Sequence, residues 1–131
     1  MIKKEKISSP LAPGKIANHP YPFSQGWRVG DFVFTGGIAP EDHITGEIIK
    51  GGIDAQSRRV FQSLQAILEE AGSSLENVVK VTVFLKNIED KPGFERVYRE
   101  YFPADAPGRM TAEVNFIGPG ILIEMDAIAH I

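Results

Sequence analysis

Apolar side chains recur along residues 54–71 with the period of an α-helix, while arginine and glutamine residues fill the opposite side. Gly72 follows at once and suits the left-handed conformation that ends many helices. A second, shorter stripe predicts a helix over residues 92–102, with one proline near its start and another after its end. The two stripes, expected to face the core, consist of Val60, Phe61, Leu64, Ile67, Leu68 and Ala71 and of Phe94, Val97, Tyr98 and Tyr101.

β-Strands are predicted where apolar residues alternate with polar ones or form short runs rich in valine, isoleucine and phenylalanine. In the strand over residues 77–86, one face is expected to carry Val79, Val81, Val83 and Leu85. The regions rich in proline and glycine between these runs are predicted loops. The predicted strands are residues 3–7, a hairpin over 27–35, and residues 77–86, 110–116 and 121–131, and the long loops are residues 10–24 and 40–52.

The order of these elements, β-ββ-α-β-α-ββ, predicts an α+β fold in which two helices cover one face of a mixed sheet. A chain of 131 residues is expected to form a single domain, covering residues 1–131. Several strands have apolar side chains on both faces, and two helices can cover only one face. We therefore expect other copies of the chain to cover the second face in a closed homo-oligomer.

Polar residues on the last two predicted strands are the first candidates for chemistry. In the strand over residues 121–131, apolar side chains alternate with Glu124 and Asp126. If residues 110–116 pair with this strand as a hairpin, matching the apolar faces predicts that Arg109, Thr111 and Glu113 share a face with Glu124 and Asp126.

This set of residues suits a small anionic substrate. An arginine binds a carboxylate through two parallel hydrogen bonds, and a buried glutamate can act as a general base through water. On residue types alone, Glu113, Glu124 and Asp126 are equally good candidates for the base. A solvated sheet face with cross-strand ion pairs is an equally good explanation of the same pattern.

Two residues outside these strands are also candidates. Gly37 follows a short apolar strand together with Gly36, and glycine lets the backbone approach a ligand closely. A bulge or a tight strand end is the alternative interpretation of this pair. Phe23 lies between Pro22 and Ser24 and is expected to form a pocket wall or, alternatively, to fill a gap in the core.

Composition excludes several functional classes. The net charge of −3 and the lack of a run of basic residues argue against a nucleic-acid partner. The chain has no cysteine and only three scattered histidines, so we expect no disulfide, no thiolate nucleophile and no metal site. No signal peptide or membrane-spanning stretch is predicted, and a cytoplasmic protein without a cofactor is expected.

Six short motifs in order along nearly the whole chain, from Ile7 to the end, resemble those of the Rid family. These reactive intermediate deaminases are also called YjgF or endoribonuclease L-PSP proteins. Each motif alone is weak, and their order makes the resemblance specific. The motifs are Pro22-Phe-Ser-Gln25, Phe34-Thr-Gly-Gly37, Thr45-Gly-Glu47, Val79-Lys-Val-Thr-Val-Phe-Leu85, Pro107-Gly-Arg-Met-Thr-Ala-Glu-Val114 and Ile123-Glu-Met-Asp-Ala-Ile-Ala129.

The resemblance implies a chorismate-mutase-like fold and a homotrimer with clefts between neighbouring subunits. It implies hydrolysis of a small enamine or imine carboxylate, similar to 2-aminoacrylate, to a 2-oxo acid and ammonia. By position in the motifs, Arg109 matches the arginine that binds the substrate carboxylate, and Glu124 matches the glutamate that positions the attacking water. Gly37 matches a backbone donor beside the substrate, while Phe23 and Thr111 stand where the family usually has tyrosine and often has cysteine.

The departures from the family pattern keep other functions open. Phe23 lacks a phenol, Gly36 replaces a common serine, Thr111 replaces cysteine, and Glu95 stands roughly where the archetype has asparagine. A trimer that binds a metabolite without turnover is one alternative, and deamination of an aminomuconate-type ring-cleavage product is another. The ribonuclease activity in one of the family's names is disfavoured by the acidic net charge and by the lack of a basic groove.

Overall fold

The computed structural model describes residues 1–16 and 19–131. Within these residues, two helices and a mixed sheet confirm the predicted α+β fold. The strands are β1 (Lys4–Ile7), β2 (Lys15–Ile16), β3 (His19–Pro20), β4 (Gly26–Val29), β5 (Phe32–Thr35), β6 (Val78–Leu85), β7 (Gly108–Glu113) and β8 (Ile123–His130), and the helices are α1 (Gly52–Glu70) and α2 (Lys91–Tyr101).

Six of the strands form one sheet in the order β1-β4-β5-β8-β6-β7. All neighbours in it are antiparallel except β6 and β7, which run parallel and are connected through α2. A parallel pair needs such a crossover because a tight turn can only reverse the chain. The predicted loop over residues 10–24 instead contains the small β2–β3 pair, and residues 17 and 18 of that prediction lie outside the described residues.

Both helices pack on the same face of the sheet, as predicted. The side chains of Val60, Phe61 and Leu64 on α1 are fully buried, and so is that of Phe94 on α2. Phe61 lies against three aromatic rings of the α2 region, with the nearest ring centroid 4.6 Å away. Among the described residues, no helix combines the length and apolar character needed to cross a membrane.

The other face of the sheet is open in the single chain. Phe32 and Phe34 of β5 are 49% and 43% exposed, and Met110 of β7 is 62% exposed. The expectation that two helices leave one apolar face uncovered is therefore confirmed. Exposed apolar residues gathered on one face are typical of an interaction surface.

The predicted hairpin of the last two strands is wrong. β7 pairs with β6, and β8 lies between β5 and β6 in the middle of the sheet. The strand predicted over residues 110–116 ends at Glu113, and residues 114–122 form a long connection instead of a tight turn. Matching the apolar faces of these two strands predicted that Met110 lies in the core. The parallel pairing of β7 with β6 instead turns Met110 toward the open face.

The predicted inward face of β6 is also partly wrong, at Val79. The register shifts between Val78 and Lys80, so an extra residue is inserted there as a β-bulge. Val78 is buried in place of Val79, which is 48% exposed, while Val81 and Val83 keep their predicted positions in the core.

Candidate functional site

Glu124 and Gly37 lie side by side where β8 meets the segment that follows β5. The backbones of Ile38 and Met125 exchange two hydrogen bonds, of 2.7 and 3.1 Å, which fix this segment against the centre of β8. A Cβ atom placed on Gly37 would lie 3.6 Å from Oε1 of Glu124. The main chain at Gly37 therefore lies close to the carboxyl of Glu124.

The carboxyl of Glu124 opens into a pocket with a volume of about 490 Å³. Phe23 forms part of its wall, and the Phe23 ring stacks on that of Tyr21 with the centroids 4.4 Å apart. The pocket is apolar around most of its circumference and acidic at one side. Its lining consists of Ile16, Tyr21, Phe23, Gly37, Ala39, Glu41, Gly46, Ile48, Ile117, Gly118, Pro119, Ile121 and Glu124.

Three ionisable side chains of the described part of the chain line this pocket. The phenol of Tyr21 donates a 2.6 Å hydrogen bond to Oε2 of Glu41, whose side chain is buried, with the residue only 6% exposed. Burial raises the pKa of Glu41, and the hydrogen bond from Tyr21 partly offsets that rise. Burial, and then the neighbouring charge of Glu41, raises the pKa of Glu124. A carboxyl with a raised pKa is a stronger base when ionised and gives up a proton closer to neutral pH when protonated.

Arg109 lies on β7 in a different environment, surrounded by residues of α2. Its Nη2 donates a 2.8 Å hydrogen bond to Oε1 of Glu95, and the guanidinium lies 4.7 Å from the centroid of the Tyr98 ring. Lys91 contacts the same Glu95 oxygen at 2.7 Å, and Arg99 contacts the other at 3.7 Å. Hydrogen bonds from Lys91 and Arg109 lower the pKa of Glu95. The cluster holds three cations and one anion, so it keeps an excess of positive charge.

The remaining predicted candidates are on the same two strands, β7 and β8, as Arg109 and Glu124. Thr111 is on the same face of β7 as Arg109, and its hydroxyl is buried with no hydrogen-bond partner among the described residues. Glu113 accepts a 2.6 Å hydrogen bond from the backbone N–H of Ile88, which is a structural role. Asp126 is on the same face of β8 as Glu124 but does not line the pocket.

The prediction that Arg109 and Glu124 share a face of the sheet is wrong. Val81 of β6 pairs with both Arg109 of β7 and Ala127 of β8, so these three side chains point toward the helices. Glu124 is three residues before Ala127 and points to the open face. β6 separates the two strands, which places β7 and β8 about 10 Å apart. One chain therefore brings together Phe23, Gly37 and Glu124, and holds Arg109 and Thr111 at a separate place.

Sequence reasoning missed Tyr21 and Glu41. Both belong to loop segments, where side-chain direction follows no period, and neither lies within a motif. Tyr21 directly precedes Pro22-Phe-Ser-Gln25, so its nearness to that motif was the only signal available.

The chain is similar to proteins of one family over nearly its full length. The family model described as endoribonuclease L-PSP matches residues 16–131. A RutC family protein of Pyrococcus abyssi is 47% identical over 129 residues, covering 98% of each chain. A 3-aminoacrylate deaminase of Acinetobacter baylyi is 34% identical, covering 99% of this chain and 100% of the relative. A 2-iminobutanoate/2-iminopropanoate deaminase of Dermatophagoides farinae is 32% identical, covering 100% of this chain and 99% of the relative.

Solved structures agree with this assignment. RidA from an Antarctic Psychrobacter species superposes with a TM-score of 0.89 at 30% identity, covering 97% of this chain and 99% of that one. TdcF of E. coli, solved with bound serine, superposes with a TM-score of 0.87 at 32% identity, covering 97% and 98%. Sequence and fold thus lead to the same group of proteins, and the chain belongs to the Rid family, also described as the endoribonuclease L-PSP family.

Proposed function

We propose that this protein hydrolyses a small enamine or imine carboxylate to a 2-oxo acid and ammonia. The observation that carries the proposal is the half-buried carboxyl of Glu124, which opens into the pocket beside the backbone of Gly37. Its raised pKa suits a group that takes up and releases protons during the reaction. The names of the A. baylyi and D. farinae relatives support this reaction type, and serine bound to TdcF supports a ligand of similar size.

The reaction proceeds in steps that need only proton transfers and water. The enamine first tautomerises to an imine as a proton moves from nitrogen to carbon. Water then attacks the imine carbon while Glu124 takes a proton from the water and passes it to the nitrogen. Glu124 takes a second proton from the hydroxyl of this adduct and delivers it to the nitrogen again. The C–N bond breaks, ammonia leaves, and the carbonyl of the 2-oxo acid forms.

The substrate carboxylate requires a cation, and among the described residues the titratable ones that line the pocket are Tyr21, Glu41 and Glu124. Because Arg109 lies on the opposite face of the same chain, we propose that Arg109 of a neighbouring subunit completes the site. The exposed Phe32 and Phe34 on the open face support such an assembly. A homotrimer with a substrate between each pair of subunits, as the family resemblance implied, fits this arrangement.

Binding of a metabolite without turnover is the second candidate. It is favoured by Phe23, which lines the pocket without the phenol that the family usually has at this position. One edge of the Arg109 guanidinium is hydrogen-bonded to Glu95 at 2.8 Å. The excess of positive charge supplied by Lys91 and Arg99 still favours an anion at this place.

Ammonia release from freshly generated 2-aminoacrylate, compared with its decay in buffer, tests the proposal. Glu124→Gln keeps the size of the side chain and removes the base, so we expect kcat to fall at least about 100-fold. Arg109→Ala should raise KM and lower kcat/KM, because the substrate loses its carboxylate partner.

Glu47→Gln is the matched control, because Glu47 is exposed and does not line the pocket. Wild-type and Glu124→Gln proteins that release ammonia at the same rate would refute the deaminase. If both then bound a 2-oxo acid in calorimetry, and Arg109→Ala did not, the binding function would be supported instead.

A further inference from the structure

Tyr21 and Glu41 form a hydrogen-bonded pair in the wall of the pocket, and the steps above give them no role. The phenol of Tyr21 donates a 2.6 Å hydrogen bond to Oε2 of Glu41, which is 20 residues away in the sequence. The stacking of Tyr21 on Phe23 fixes the ring from one side. The phenol is therefore held in place by two independent contacts.

Burial of the Glu41 carboxyl lowers the stability of the fold, and anchoring the loop does not require a carboxyl. Burying a carboxylate without full compensation is unfavourable, and the hydrogen bond from Tyr21 is the side-chain partner found for it among the described residues. An apolar side chain would fill the same place at lower cost. Glu41 also lines the same pocket as Glu124, so removing a proton from one carboxyl affects the other.

We propose that Tyr21 and Glu41 are positioning residues for Glu124. The phenol of Tyr21 fixes Glu41 in the pocket wall, and Glu41 helps Glu124 to carry protons from the attacking water to the departing nitrogen. This inference rests on the proposed function, because it assigns a task within that reaction. Glu41 acts through Glu124 and does not itself need to contact the substrate.

The physical reason is the repulsion between two carboxylates in one pocket. The hydrogen bond from Tyr21 favours the ionised form of Glu41, and a negative charge there makes Glu124 hold its proton more firmly. Glu124 is then a stronger base toward water and also returns its proton at a pH nearer to neutral. The titratable side chain that lines the pocket with this pair is Glu124. Asp126 is on the same face of β8 as Glu124, Asp42 and His43 follow Glu41 in its loop, and Arg109 of a neighbouring subunit joins them in the proposed assembly.

The test is the dependence of kcat/KM on pH for the wild-type protein and for Glu41→Gln. Activity requires ionised Glu124, so it rises as the pH rises through the pKa of that group. Without the charge of Glu41, Glu124 ionises at lower pH, and we expect the rising limb to move down by roughly 0.5 to 1 pH unit. The plateau should fall about threefold to tenfold, because the base has become weaker.

Tyr21→Phe provides a second variant that keeps the ring and its stacking on Phe23. It removes the hydrogen bond that favours the ionised form of Glu41, so the limb should move in the same direction by a smaller amount. Glu47→Gln, which removes one carboxylate from the same loop outside the pocket, should leave the profile unchanged. Circular dichroism and melting temperature confirm that each variant is folded before its kinetics are compared.

Carboxyl titration by carbon-13 NMR separates failure of this inference from failure of the proposed function. If Glu124→Gln abolishes ammonia release but folded Glu41→Gln keeps the wild-type profile and plateau, the deaminase stands and the inference is overturned. If the wild-type protein releases no ammonia above buffer, the deaminase fails and the assigned task fails with it. In that case, an unchanged titration of Glu124 in Glu41→Gln would also refute the coupling between the two carboxyls, whereas a downward shift would support it.

Discussion

Mixing two impaired variants tests whether the proposed catalytic site is built from two chains. Arg109 and Glu124 point to opposite faces of the sheet on strands separated by β6, so a single chain cannot place both against one small substrate. Arg109→Ala keeps Glu124, and Glu124→Gln keeps Arg109. When the two are coexpressed in equal amounts, some neighbouring pairs contain one intact copy of each residue.

The size of the recovery follows from random assembly in a closed ring. A given site has an intact Glu124 in half of all cases, and its neighbour has an intact Arg109 in half of all cases. About a quarter of the sites are therefore complete, and we expect about a quarter of the wild-type ammonia release per chain. If both residues acted within one chain, no complete site would form and no activity would return.

A second mixture provides the control. The double variant Arg109→Ala/Glu124→Gln, coexpressed with wild-type protein, should also give about a quarter of the activity if the site spans two chains. The same mixture should give about half if each chain contains its own site. Native mass spectrometry verifies that the variants have mixed. Mixed oligomers without recovered activity, together with about half activity in the control, would refute the two-chain site.

Two further predictions concern the cationic cluster and the core. Glu95→Gln should lower KM for a carboxylate substrate about threefold to tenfold at low salt, because Arg109 is released and a negative charge is removed. Glu100→Gln on the same helix is the control. A rise in KM for Glu95→Gln would contradict this reasoning and would mean that Glu95 orients Arg109. Phe61→Ala should lower the free energy of unfolding by about 3–5 kcal/mol in denaturant titration, because a fully buried ring is lost. The exposed Ile44→Ala should change it by less than about 0.5 kcal/mol, and equal effects of the two would contradict the packing described for α1.

The helices and the alternation along β8 can be predicted from sequence because each pattern is local. The stripe of α1 repeats over about three turns, from Val60 to Ala71, and its residues are buried where the period places them. In β8, Ile123, Met125, Ala127 and Ala129 are all buried, as strict alternation requires. Patterns of this kind depend only on the geometry of one element, and that geometry varies little.

Strand pairing and loop contacts are not local, and neither could be predicted from the sequence. Consecutive strands are often neighbours in a sheet, which favoured a β7–β8 hairpin. The helix α2 instead returns the chain to lie parallel to β6, and β8 takes the remaining place between β5 and β6. The contact between Tyr21 and Glu41 joins two loops, and no periodicity in either loop indicates where these side chains point.

The absence of a β7–β8 hairpin changes how Arg109 and Glu124 can act on one substrate. The alternation of apolar and polar side chains placed Arg109 and Glu124 on one face only through the predicted hairpin, which the structure does not contain. The family resemblance selected the same two residues by their positions in the motifs and implied nothing about the face on which each lies. The sheet separates them, so both residues can serve one substrate only if the open face of one chain meets the β7 edge of another. Exposed Phe32 and Phe34 on that face provide apolar surface for such a contact. In this proposal, oligomerisation is a requirement of the chemistry, and a monomeric variant should keep its fold and lose its activity.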